Sequence, residues 1–182
     1  MAGTEELEAK ILKAVGEAEK GMAKLQLDLT PLARNLKGLE IDKDKSLAGM
    51  KKVYAFMGKF GAVTKLQQSK VFDSLSPKAQ AQVVWMDGLM SELLKLADRL
   101  AQTQKDAKMD PDKKHTYLVR VLKEEVRQAP QMPKGVGQLV KQIEKGKDLG
   151  GFDGAMIAFL PMAIMLWMIW DTIVHGLKAR PK

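Results

Sequence analysis

The chain has no cysteine, few aromatic side chains (5%) and scarce runs of β-branched residues. Without a thiol there is no disulfide framework, no thiolate nucleophile and no cysteine metal site. Only two histidines occur, His115 and His175, far apart in sequence and without ligand-spaced neighbours, so a zinc site is not expected. The H-E-x-x-H, G-x-S-x-G and phosphate-loop patterns are all missing. Two acidic pairs, Asp42/Asp44 and Asp110/Asp112, invite comparison with a calcium loop. The first pair is followed by Leu47 where the EF-hand loop needs glycine and by Val53 where it needs glutamate, so both pairs read as solvated loop charge. No enzyme, cofactor, metal or small-molecule substrate is expected from this inventory. The segment from Met1 to Glu8 is acidic and lacks an apolar core, so no cleavable secretory signal is visible.

What is present is the vocabulary of helices: alanine, leucine, lysine, methionine, glutamine and glutamate. At 182 residues the chain can bury one sizeable core. The fold class read from it is all-α, a multi-helix bundle of five to seven helices with a hydrophobic C-terminal helix. Thr30-Pro31, Ser76-Pro77 and Asp110-Pro111 each set a capping oxygen before a proline, where the missing N–H costs nothing at a first helical position. Thr4 and Ser46 read as caps without proline.

The spacing predicts a first helix over 4–28, with Leu7, Ile11, Ala14, Ala18, Met22 and Leu25 in one stripe, then a short separate segment over 31–39. After a charged loop over 40–45, a helix over 46–69 turns Leu47, Met50, Val53, Tyr54, Met57 and Phe60 inward. The best-formed helix, over 77–105, carries Ala79, Val83, Met86, Met90, Leu93, Ala97 and Leu100 at alternating spacings of four and three, close to a coiled-coil seam. Two shorter helices follow, over 111–128 and 133–145, the second presenting Val136, Leu139, Val140 and Ile143.

The segment that stands apart is Gly154 to Trp170, which has no charged and no strongly polar side chain. Asp153 and Asp171 bracket it, and a helix would hold them about 27 Å apart, against a hydrocarbon core ~30 Å thick. Phe152 marks one end and Trp167 and Trp170 the other, as aromatic rings do at headgroup level. Lys178, Arg180 and Lys182 follow and suit anionic headgroups. Pro161 is the objection, because it removes a backbone donor, although spans tolerate proline better than soluble helices do. Met156, Phe159, Leu160 and Ile164, with the flanking aromatic and basic residues, are the expected membrane contacts. The competing expectation is a central core helix wrapped by the others.

The stretch from Gly146 to Gly154 contains four glycines, Gly146, Gly150, Gly151 and Gly154, and reads as a hinge. The chain therefore divides into a soluble amphipathic bundle (1–145), a glycine-rich hinge (146–154), a hydrophobic helix (155–177) and a basic tail (178–182). Formal net charge is +8, with the excess concentrated at 41–80. Lys51, Lys52, Lys59 and Lys70 form a lipid-surface set on the helix over 46–69. Lysines without arginine bind phosphate as point charges, so nucleic acid is the less favoured partner. Membrane lipids, and a protein partner or self-association through the heptad-like helices, are the expected partners. The leading expectation is a membrane-associated, non-enzymatic helical protein with most of its chain cytoplasmic. The alternatives are an oligomerising membrane-permeabilising protein and a soluble helical protein with the C-terminal helix as its core.

Overall fold

The computed structural model describes the backbone of residues 2–106, 110–129, 131–145 and 154–182, and the side chains of the same residues except positions 2, 111, 112, 114 and 154–158. The described residues form seven α-helices, two 3-10 turns and no strand. In order these are α1 (Ala2–Lys37), α2 (Lys43–Lys59), α3 (Gly61–Thr64), the turns Lys65–Gln68 and Phe72–Ser74, α4 (Pro77–Asp106), α5 (Pro111–Gln128), α6 (Lys134–Glu144) and α7 (Gly154–Lys178).

α1 is one helix, where the sequence suggested two. Thr30 is not a cap: its hydroxyl donates to the Gln26 carbonyl one turn back (2.8 Å), and Pro31 sits inside the helix. Pro31 removes the bond that residue 31 would make to the Leu27 carbonyl, and both residues are exposed. Water can therefore solvate that carbonyl, which lowers the cost of an interior proline. Beyond Pro31 the inward stripe continues through Ala33 and Leu36, both buried, so packing holds the last turns in the helix. The helix ends at Lys37, and two residues on Leu39 has a φ of 61°, which is left-handed and uncommon outside glycine.

α2 begins three residues before the cap expected at Ser46. The Asp42 carboxylate accepts the Lys45 backbone N–H (3.0 Å), and that bond is the largest cause holding the Asp42 carboxyl below its usual range. Ser46 is buried in the first turn instead. Nor does the helix run to residue 69. It stops at Lys59, is followed by the single turn of α3, and gives way to 3-10 geometry. Gly58 and Gly61 flank the break, where intrinsic helix stability is lowest.

Ser76-Pro77 behaves as expected. The Ser76 hydroxyl accepts the Ala79 N–H (3.3 Å), and the Glu8 carboxylate of α1 accepts both the Ser76 backbone N–H and its hydroxyl. This carboxylate at the N-terminus of α4 also complements the helix dipole. Replacing Ser76 with alanine is expected to destabilise the protein by about 1 kcal/mol, within the ~0.5–2 range for lost caps, as read by urea denaturation.

All seven predicted seam residues of α4 are buried, and so are Leu89 and Leu96, because α4 packs on both α1 and α7. One core joins α1, α2, α4 and one face of α7 from Phe159 to Ile173. A second, around Leu36, Leu122, Val136, Leu139, Leu160 and Ile164, joins α5 and α6 to the other side of α7. The apolar helix therefore takes part in both cores.

Candidate functional site

α7 is apolar enough and long enough, over Phe159–Lys178, to cross a membrane by length and composition, and half of that stretch is buried in protein. It packs against α1, α4, α5 and α2. From Phe159 to Leu166 every side chain but Ala163 is buried, including Pro161. A helix apolar around its circumference is suited to such enclosure as well as to lipid. The helix runs continuously through Pro161 to Lys178.

The far end of α7 is tied down by polar contacts. The Trp170 indole N–H donates to the Gln26 carbonyl of α1 (3.0 Å), beside the Thr30 hydroxyl bonded to that same carbonyl. The Trp85 indole of α4 donates to the Gly176 carbonyl (2.7 Å). The Gln82 amide of α4 donates to the Pro181 carbonyl (2.6 Å) and accepts from Arg180 Nε (2.9 Å), while Arg180 also pairs with Glu19 of α1 and lies over the Trp85 ring. Gln82 is buried, so these bonds satisfy an amide that would otherwise be costly to desolvate.

Among the expected membrane contacts, Phe159, Leu160 and Ile164 face the protein interior, and Trp167 and Trp170 are half-buried with their rings 5.4 Å apart. Lys178 and Lys182 are exposed, whereas Arg180 is engaged as described. Phe152 lies outside the described residues, as does the Met156 side chain. The hinge residues Gly146, Gly150 and Gly151 also lie outside them, and Gly154 is the first residue of α7. The lysines Lys51, Lys52, Lys59 and Lys70 are all exposed but do not share one helix. Lys52 pairs with Asp28 of α1 (3.0 Å), Lys59 lies over the Phe60 ring, and Lys70 falls between the two 3-10 turns. His115 is exposed, and the His175 ring approaches the Asp171 carboxylate (3.3 Å).

Sequence reasoning missed the region between α4 and α5. α5 rests mainly on α6 and α7, leaving a cleft of about 530 Å³ between α4 and α5 with Met165 of α7 as its floor. Arg99 and Gln128 bridge the two helices (2.8 Å), and Gln128 donates in turn to Glu124 (2.6 Å). Arg127 makes a two-pronged contact with Glu124 (2.7 and 3.2 Å) that holds the Glu124 carboxyl below its usual range. Burial, then Asp106, pushes the Tyr117 hydroxyl up to about 12.

Beneath this network lies Glu125, fully buried, with no hydrogen-bond partner for either carboxylate oxygen among the described residues. Burial raises its pKa well above the usual range, and the nearby Arg99 charge opposes the rise only in part. The one available signal was its position, three residues after Leu122 and seven after Leu118 on the inward stripe of α5.

Neither the protein families, nor the curated proteins, nor the solved structures include a significant match to this chain. The functional reading therefore rests on the residues themselves.

Proposed function

We propose that this chain is a non-enzymatic helical interaction protein in which the C-terminal helix is the structural core and the outer helix faces meet partners. The observation that carries this reading is the burial of Phe159 to Leu166 within protein. A membrane contact made by those side chains requires the bundle to come apart. The polar ties of Trp170 and Arg180 support the same reading, because they give the boundary groups protein partners in place of headgroups. Leu27 (72% exposed), Leu94 (52%) and Val84 (45%) supply apolar points on the outer surface for a partner or a second copy.

The test is purification without detergent followed by flotation with phosphatidylglycerol vesicles. The expected result is a soluble protein that stays at the bottom of the gradient, and one that unfolds when residues 151–182 are deleted. Flotation of the intact chain, or a need for detergent, overturns the core reading.

One observation favours a second reading, in which the bundle stores α7 and releases it into a bilayer: Phe159–Lys178 is long enough to span. In that case the protein floats, and dye release accompanied by crosslinked oligomers separates a permeabilising protein from a plain anchor.

A further inference from the structure

We propose that the α4–α5 cleft binds a single-chain anionic amphiphile, a free fatty-acid-like molecule with its chain in the cleft and its acidic group at the mouth. The inference concerns a ligand and stands whether or not α7 ever meets a membrane.

The cleft has the size of a small-molecule site, which typically falls in the range of roughly 300–1,000 Å³. Its depth is apolar. Met165, buried in the core helix, forms the floor, with Val121 and the Tyr117 ring on the α5 side. Thr103 on the α4 side adds one hydroxyl to this wall, which lies 3.9 Å from Met165 Sδ and is satisfied by donating to the Arg99 carbonyl (2.9 Å).

The mouth is cationic. Arg99, Arg120, Lys123 and Arg127 stand around it; Asp106 faces the Tyr117 hydroxyl beside it, and among the described residues Glu124 is the acid that lines it. That acid is already paired with Arg127, and Lys123 pairs with Glu144 of α6. Arg99 is bonded to a neutral amide and Arg120 lies over the Tyr117 ring at 5.5 Å; neither makes an ion pair among the described residues. Arg120 is thus left to receive an anion, with Arg99, whose charge also acts on Glu124 and Glu125, adding to the positive field, and guanidinium matches a carboxylate or phosphate in two-pronged geometry.

An apolar slot below a positive rim selects a molecule with the same division. The slot also favours a free chain over a bilayer: a flat headgroup surface reaches the rim alone, whereas the floor at Met165 is reached only by a chain entering between two helices.

The experiment is isothermal titration of the full chain with octanoate, decanoate and dodecanoate, each below its micellar concentration, and with dodecyltrimethylammonium as the cationic counterpart. Each pair of added methylenes is expected to tighten binding about tenfold, from roughly three- to fourfold per buried methylene. The ammonium compound is expected to bind at least tenfold more weakly than dodecanoate. Arg120→Glu, at an exposed position that leaves the fold intact by circular dichroism, is expected to weaken dodecanoate at least tenfold. Val121→Trp is expected to block the chain, and the control K51E/K52E to bind as the parent does. Equal affinity for the two head charges, unchanged affinity in Arg120→Glu, or absence of binding overturns the proposal. Capture by phosphatidylglycerol vesicles without any binding of free dodecanoate overturns it too, and assigns the cations to a lipid surface.

Discussion

Ile164→Ala is expected to lower the unfolding free energy by about 2–5 kcal/mol, the range for truncating a large aliphatic side chain in a packed core. Ile164 is fully buried and belongs to the core that joins α7 to α5 and α6. Removing three carbons there loses their transfer free energy and leaves a cavity that neighbours from two layers cannot all fill. For a chain of this length the midpoint falls by roughly 2–4 °C per kcal/mol, so a drop of several degrees or more is readable by thermal denaturation. Leu94→Ala, at an exposed site on α4, is the control and is expected to stay within about ±0.5 kcal/mol. Equal, small effects at both positions in detergent-free buffer sink the assignment of α7 as core.

The second large effect runs in the opposite direction. Glu125→Leu is expected to stabilise the protein at pH 8 by about 1–3 kcal/mol, the cost of a buried polar group left without a partner. Replacing a buried charge by a packed apolar group is often stabilising for the same reason. The pH dependence follows from the direction of the shift. Burial raises the Glu125 pKa in the folded state, so the folded protein keeps this proton when the unfolded chain has released it. Below the ordinary carboxyl value of 4.5 both states are protonated and Glu125 contributes no slope. As the pH rises from there toward the folded-state pKa, the unfolded chain binds fewer protons than the folded one and stability falls. The advantage of Glu125→Leu over the parent is therefore expected to widen from pH 4.5 upward. Glu125→Gln, with no proton to lose, is expected to flatten the profile while keeping the volume. Urea unfolding at pH 4.5, 6 and 8 checks both variants, and a destabilised Glu125→Leu at pH 8 refutes the account.

Much of the fold was legible because periodicity reports which face of a helix seeks cover. The α4 seam and the four apolar positions of α6 were read correctly, since each helix has a clean stripe and, for α4, an unambiguous Ser76-Pro77 start. Thr30-Pro31 carried the same local signal and meant something else. Local chemistry cannot tell that Ala33 and Leu36 continue the stripe into a tertiary contact that holds the helix together across a proline. The fate of α7 was open for a related reason: hydropathy averages the side chains of one helix and contains nothing about the surfaces around it. The unmet stripes of α1 and α4 were the relevant clue, since both require a common apolar partner. The α4–α5 cleft and Glu125 were illegible because a charged residue within a helical pattern is assigned to solvent by default, and Glu125 is the exception.

The placement of α7 at the centre also fixes a schedule for biosynthesis. α1 is complete at Lys37, but α7, its principal neighbour, is complete only at Lys178, roughly 140 residues later. At translation rates of about 5–20 residues per second that interval is on the order of 7–30 s. Through it the Ala18, Met22 and Leu25 stripe has only α2 and then α4 to cover it, and the contact of Trp170 with Gln26 closes only once residue 170 is made. Folding dominated by such distant pairings is slow relative to a bundle of sequential hairpins. The nascent chain thus passes through an interval in which α1 and α4 still lack α7, and exposed apolar surface of this kind is where chaperones engage a client and truncated products aggregate.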